Sequence, residues 1–277
     1  MIITSAKNRI VVETTKLSQR KYRWQRKLFI AEGQKIIELA MQSQKMPCQI
    51  FFAEELLKTS ESEALLNVFK NMKIDIIYVD KKVMTKMSQL ETPTCFLGVF
   101  DMAQYSFDNC MKQNDNKNLN KLVLILDRLQ DPGNLGTLIR IADSVGAFSV
   151  ILLSPCVDPF DMKVVSASMG SIFSVPLIIR DDISECLNEI KKKFKIIGTD
   201  TVKGEIPWKT NIFEGSLAIL LGNESRGLDQ TLNKYIDDFV TLPMLGKSES
   251  LNVAIAGGVL SYEWLKYNWE ISINNEK

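Results

Sequence analysis

The second half of this 277-residue chain alternates short apolar runs with helix-like segments, and no other feature restricts the fold as much. Apolar runs fall at 122–126, 148–153, 177–179, 195–199, 217–221 and 239–242. The first has few polar interruptions, as a strand buried on both faces requires. Helical segments lie between several of them, one at 135–145, and a last one runs over 250–267. Repeated βα units predict a mostly parallel sheet with helices on both faces. The first half is a smaller α/β pattern, with strands at 28–31, 49–52, 74–79 and 95–100 and a helix at 33–41. Between the halves, 112–120 reads Lys-Gln-Asn-Asp-Asn-Lys-Asn-Leu-Asn, polar and almost free of apolar side chains, which is a linker composition. The expected division is a domain over 1–103, a linker over 104–120 and a second domain over 121–277.

Composition narrows the chemistry. The chain has no histidine, which removes the commonest general base near neutral pH and the commonest metal ligand. Ser-His-Asp hydrolases, Cys-His proteases and His-ligated metalloenzymes are excluded. Five cysteines, Cys48, Cys95, Cys110, Cys156 and Cys186, are widely spaced with no Cys-x-x-Cys pair. They read as buried reduced thiols, with neither a disulfide framework nor a metal site. No apolar run approaches the roughly 18 residues of a membrane helix, and residues 1–9 lack the apolar stretch of a signal peptide. The expected location is the cytoplasm.

The formal net charge is only +1, but the charge is unevenly spread. Residues 7–27 carry Lys7, Arg9, Lys16, Arg20, Lys21, Arg23, Arg26 and Lys27, with Glu13 the one acid and with Tyr22 and Trp24 interleaved. Such a stretch suits phosphates and stacked bases. It equally suits a solvated helical face.

In open α/β sheets ligands bind at the carboxyl ends of the strands, so the loops there carry the functional signal. The loop from Asp127 turns at Pro132 and Gly133 and leads through Asn134 and Gly136 to Arg140. A second runs Gly222-Asn-Glu224-Ser-Arg-Gly227, where Gly222 would let a ligand approach the main chain. A third, Pro243-Met244 through Ser250-Leu251-Asn252-Val253, enters the last helix, with Ser250 as a candidate N-cap. Gly257 and Gly258 follow inside that helix, each costing about 1 kcal/mol relative to Ala unless close packing offsets it. Read singly, each loop fits an ordinary turn, with Asn134 an N-cap and Glu224 a solvated acid. Together, three Gly-containing loops bearing Asn, Arg, Glu and Ser point to a ligand site.

In order and spacing the three segments resemble the SpoU family, the RNA 2′-O-ribose methyltransferases of the SPOUT superfamily: Asn134-x-Gly136-x-x-x-Arg140, Gly222-x-Glu224-x-x-Gly227, and Pro243-Met244 with Ser250-Leu251-Asn252-Val253. The resemblance spans 121–267. The first half resembles the family's L30e-like substrate-binding domain through Arg9, the basic segment and Phe29-Ile-Ala-Glu-Gly33. The resemblance implies a C-terminal domain threaded into a trefoil knot, a homodimer built on that domain, S-adenosyl-L-methionine as cofactor and no metal. It implies cofactor contacts from Thr199, Gly222, Leu242, Met244 and Leu251. It implies a catalytic set of Arg140, Asn134, Glu224, Ser250 and Asn252, with Glu224 holding Arg140 or the turn. RNA contacts fall to Arg9, Arg20, Lys21, Arg23, Arg26, Lys27 and Arg140. The implied substrate is RNA, foremost 23S ribosomal RNA, with transfer RNA as an alternative and a silent RNA-binding protein on the same fold as another. Ser174 stands where relatives often carry Arg or His, and Ala254 where many carry Ser. A nucleotide-binding oxidoreductase is disfavoured, since the first turn lacks Gly-x-Gly-x-x-Gly.

Overall fold

The computed structural model describes residues 2–102 and 120–274. The linker expected at 104–120, Asn120 apart, and Cys110 lie outside the described residues. Two compact units emerge: Met1–Gln104 with Asp158–Ser174, and Tyr105–Val157 with Val175–Lys277.

The first unit holds α1 (Arg9–Thr15), α2 (Arg20–Arg26), β1 (Leu28–Glu32), α3 (Gln34–Gln42), β2 (Gln49–Phe52), α4 (Ser60–Asn71), β3 (Asp75–Tyr78), α5 (Lys81–Met87) and β4 (Phe96–Asp101). Its four strands run β1-β4-β2-β3 in one sheet. β4 is antiparallel to both β1 and β2, in a register that sets Phe29 opposite Phe100 and Phe52 opposite Phe96.

The second unit is the βα repeat: β5 (Leu122–Asp127), α6 (Pro132–Ser144), β6 (Ser149–Leu153), β7 (Leu177–Arg180), α8 (Ile183–Lys191), β8 (Lys195–Thr199), β9 (Leu217–Leu221), β10 (Asp238–Val240) and α9 (Val253–Asn274). The intervening α7 (Met162–Ala167) belongs to the first unit. All six strands are parallel, in the order β10-β8-β9-β5-β6-β7. Every residue of β5, β6 and β9 is buried, as their nearly continuous apolar sequences demand. The chain leaves β5 for β6 on one side and returns at β9 on the other. The order therefore reverses beside β5, and a crevice opens at the carboxyl ends there.

A contiguous division at the linker does not describe the packing of Asp158–Ser174, which lies between β6 and β7 in sequence. The Phe160 ring is 4.9 Å from the Phe29 ring, and Phe173 is 4.8 Å from Phe100. Met162, Val164, Val165 and Ile172 are buried with them. These apolar side chains have no place in a βα connection of the second sheet, and the first unit's core takes them. Polarity of the linker gives no information on this exchange.

Gly257 and Gly258 turn inward. A Cβ at Gly257 would lie 2.5 Å from Leu138 Cδ2 of α6 and 2.9 Å from Leu221 Cδ1, and one at Gly258 would lie 3.2 Å from Ile141 Cδ1. The pair lets α9 pack closely on α6 of its own chain, so its helix cost is offset within the unit.

Candidate active site

The three loops converge on one hydrogen-bonded cluster in the second unit. α6 is capped by Asp131, whose Oδ1 accepts from the Asn134 N–H at 2.7 Å, with Pro132 at the helix start where its missing N–H costs nothing. Asn134 is thus not the N-cap that an ordinary turn would make of it, and its side chain is left for other work. Its Nδ2 donates to Glu224 Oε1 at 3.2 Å, and its Oδ1 accepts from Asn252 Nδ2 at 2.8 Å. Asn252, and not Ser250, caps α9: its Oδ1 accepts from the N–H groups of Ala254 at 2.9 Å and Ile255 at 3.3 Å. Glu224 also accepts from the Asp131 N–H at 3.2 Å and from Asn223 Nδ2 at 3.3 Å. One asparagine therefore ties the three loops together. Of the two roles implied for Glu224, it holds the turn. Arg140 is exposed on α6 and, among the described residues, has no hydrogen-bond or ion-pair partner.

The second loop is rigid for a reason that spacing alone misses. A Cβ at Gly222 would sit 2.4 Å from Gly227 C and Leu228 N. The close approach is by the chain's own backbone. Asn223 and Gly227 exchange backbone hydrogen bonds at 3.1 and 2.9 Å, and Gly227 adopts φ +64°. Two residues absent from the expected set brace this loop. Arg128 forks onto the buried carboxylate of Asp127 at 2.9 Å through both nitrogens and donates to the Gly227 carbonyl at 3.2 Å. Its own carbonyl accepts from Asn223 Nδ2 at 2.9 Å. The Asp127 side chain raises the Arg128 pKa further, so this guanidinium stays charged. A polar Asp-Arg pair ending an apolar strand is the signal that points to them.

Beside the cluster lies a cavity of about 580 Å³, within the usual range of small-molecule sites. Thr199, Gly222, Leu242, Met244 and Leu251, all expected as cofactor contacts, line it, as do Glu224 and Ser250. Asn134, Arg140 and Asn252 do not. Apolar Leu221, Leu242, Met244, Leu251 and Leu260 offer a wall for a nucleobase, and polar Thr199, Asp200 and Glu224 offer hydrogen-bonding and anionic groups. This donor set fits a nucleoside carrying positive charge. Among the described residues, no group of three or more His, Cys, Asp or Glu side chains is arranged to hold a metal ion.

The second unit's cysteines stand apart from this chemistry. Burial pushes the Cys156 and Cys186 thiols up to about 11, so both stay protonated at neutral pH. Cys95 is buried, whereas Cys48, just before β2, is exposed and is not the buried thiol expected of it.

The basic segment divides. Arg9, Arg20, Lys21 and Lys27 are exposed. Arg26 pairs with Glu13, and Lys27 lies over the Trp24 ring at 5.0 Å. Arg23 is 1% exposed and cannot meet RNA in this structure. It donates to Asp158 at 2.7 and 2.9 Å, to Asp161 at 3.1 Å and to the carbonyls of Leu17 and Ser18. The Asp158–Ser174 segment supplies both acids, which is why the sequence of α2 alone gives no hint of its burial. Arg23→Ala should cost about 3–5 kcal/mol of stability by leaving Asp158 buried and unpaired. Arg20→Ala with Lys21→Ala should weaken RNA binding and leave thermal unfolding unchanged. Calorimetry and filter binding on both variants check this, and the reverse pattern would refute it.

A model of the SpoU rRNA methylase family matches residues 121–262. The chain belongs to the SpoU family. A model of the MRM3-like substrate-binding domain matches residues 8–98, giving the SpoU domain an N-terminal companion. The chain is similar to the 23S rRNA (guanosine(2553)-2′-O)-methyltransferase RlmP of Bacillus subtilis, at 30% identity over 94% of this chain and 97% of that one. An AdoMet-bound rRNA methyltransferase from Sinorhizobium meliloti matches with a TM-score of 0.83 and 26% identity, over 96% of this chain and 98% of that one. The crystal structure of an RNA 2′-O ribose methyltransferase matches with a TM-score of 0.81 and 27% identity, over 97% and 100%. The mostly parallel α/β sheet is thus the SPOUT methyltransferase architecture. Among the described residues, no helix is long and apolar enough to cross a membrane.

Proposed function

We propose that this SpoU protein transfers the methyl group of S-adenosyl-L-methionine to a ribose 2′-hydroxyl of RNA, with 23S ribosomal RNA as the substrate and the cytoplasm as its location. The observation that carries this reading is the convergence of Asn134, Glu224 and Asn252 from three separate loops beside a cavity lined by Gly222, Leu242, Met244 and Leu251. S-adenosyl-L-methionine supplies an electrophilic sulfonium methyl, so the protein must position the hydroxyl and favour its deprotonation. Backbone groups around Gly222 and Leu242 hold the cofactor, in loops threaded into the family's trefoil knot. Arg140 remains protonated as a free guanidinium, which suits it to clamp an RNA phosphate and stabilise the developing oxyanion. Ser250, exposed at the cavity edge, orients the hydroxyl. Asn134, Glu224 and Asn252 hold the loops in register. Arg9, Arg20, Lys21 and Lys27 contact the RNA backbone, giving a salt-dependent affinity.

The same reading includes a homodimer built on the second unit. Ile255, Val259, Tyr262 and Trp269 are exposed at helical spacing along α9, between 41% and 54% each, and such a stripe marks an interaction surface. Val259→Glu should convert a dimer mass to a monomer mass in light scattering. A wild type already monomeric at micromolar concentration would refute the dimer.

Methyl transfer from labelled S-adenosyl-L-methionine to total bacterial RNA tests the activity. Label in 2′-O-methyl nucleosides of 23S rRNA, lost in Arg140→Ala, is the expected result. No label in any RNA, together with absence of cofactor binding, would refute it.

A further inference from the structure

We propose that Arg226 is a substrate-contacting residue, its guanidinium taking a phosphate that flanks the ribose to be methylated. This rests on the methyltransferase reading above and extends it to a position that the Gly222-x-Glu224-x-x-Gly227 pattern leaves unspecified.

The loop that carries Arg226 is built to hold one position. The Arg226 N–H donates to Asn223 Oδ1 at 3.1 Å, and the neighbouring Ser225 N–H donates to the same oxygen at 3.0 Å. Paired backbone bonds between Asn223 and Gly227, the Arg128 bond to the Gly227 carbonyl and the contact of Gly222 with Gly227 fix the turn on both sides. Its asparagine and its carboxylate are spent on the protein. Glu224 accepts from three donors, and Asn223 is engaged at both ends.

Arg226 is the loop's charged side chain left over, beside the hydroxyl of Ser225. It is exposed on the cavity wall and, among the described residues, has no ion pair or side-chain hydrogen bond, although Glu224 is two residues away and Asp229 three. Those carboxylates already have their partners: Asp229 lies 3.5 Å from Arg128 and accepts from Thr231. The cavity's other cation, Lys203, lies 3.8 Å over the Phe239 ring. An unpaired guanidinium on a rigid turn, whose neighbouring acids Glu224 and Asp229 are already engaged, has its donors free for an external anion. A phosphodiester takes a guanidinium fork bidentately. The outward side chain favours the RNA, which must reach the open side of the cavity, over the cofactor's carboxylate.

The test compares wild type, Arg226→Gln and Arg226→Lys in three measurements: S-adenosyl-L-methionine affinity, 23S rRNA binding against salt, and methylation kinetics. Arg226→Gln should raise KM for RNA about tenfold and reduce the log–log salt slope by about 0.7, the share of one phosphate on single-stranded RNA. Cofactor affinity should stay within twofold, and Arg226→Lys should recover the slope. Weakened cofactor binding with an unchanged slope would overturn the proposal and assign Arg226 to the cofactor's carboxylate. An unchanged slope with unchanged KM would overturn it outright. A wild type that methylates no RNA would count against the methyltransferase reading, while the binding slope would still decide whether Arg226 meets phosphate.

Discussion

Gly222→Ala should abolish measurable S-adenosyl-L-methionine binding and lower the melting temperature by several degrees. The added methyl would lie 2.4 Å from Gly227 C and Leu228 N and 2.8 Å from Gly227 O. All three are backbone atoms, so no side chain can swing away. The turn itself must open. Opening it breaks the Asn223–Gly227 backbone pair at 3.1 and 2.9 Å and pulls the Gly227 carbonyl from Arg128. Overpacking of this kind costs about 1–3 kcal/mol. Each kcal/mol is worth about 2–4 °C of melting temperature in a chain of this size. Binding suffers more than stability, because the displaced backbone is itself a wall of the cavity. Two comparisons make the result interpretable. Gly257→Ala meets chiefly the Leu138 and Leu221 side chains, which can give, and should lose stability with cofactor affinity within a few-fold. Gly246→Ala, with nothing within 4 Å, should behave as wild type. Isothermal titration and calorimetry on the three variants suffice. Cofactor binding by Gly222→Ala at wild-type strength would show that the turn is not the wall described here.

The parts of this molecule that were legible in the sequence are those set by short-range pattern. The runs at 122–126 and 217–221 emerge as strands within a residue of the expected bounds, because a strand buried on both faces has to be nearly continuously apolar. The third loop's cavity-lining residues were legible only through resemblance, since nothing in Leu242 or Leu251 by itself distinguishes a cavity wall from ordinary packing. What failed is what depends on partners distant in the chain. Asn134 and Glu224 are 90 residues apart, and only the fold reveals that the cap is Asp131 and that the asparagine faces the acid. Arg23 read as a nucleic-acid contact because its neighbours are basic, but its acids lie 135 and 138 residues downstream. The Gly257–Gly258 pair, from which the sequence implied close packing without naming the neighbour, packs on α6. The exposed stripe carrying the dimer proposal is marked by Ile255, Val259, Tyr262 and Trp269, at spacings of 4, 3 and 7. That periodicity was present in the sequence. It could not be separated from a core-facing stripe until the opposite face was seen to pack.

Asn134→Ala should lower kcat by about 100-fold while leaving cofactor affinity within a few-fold. The side chain does not line the cavity, so its loss leaves the cofactor walls in place. What disappears is the link at 3.2 Å to Glu224 and at 2.8 Å to Asn252, and with it the register between the loop before α6 and the loop before α9. Ser250 lies on the second of those loops, two residues from Asn252. A misplacement of about 1 Å at a reacting centre costs on the order of 100-fold in rate. Asn134→Asp separates a specific link from general damage. The introduced carboxyl would stand where an N–H now donates to Glu224 Oε1, so at neutral pH two like charges would face one another and the loops should part further than in the alanine variant. A pair of carboxylates at this separation cannot both ionise freely, and one titrates well above its usual range. As pH falls and that group takes up a proton, the protonated oxygen can donate to the other and restore the missing bond. Activity of Asn134→Asp relative to wild type should therefore rise as pH decreases, whereas the ratio for Asn134→Ala should stay flat, since it adds no titrating group. Single-turnover methylation across pH 5–8 reads both. A flat ratio for the aspartate variant would mean that the Asn134–Glu224 bond does not set the loop register, even if its kcat is low.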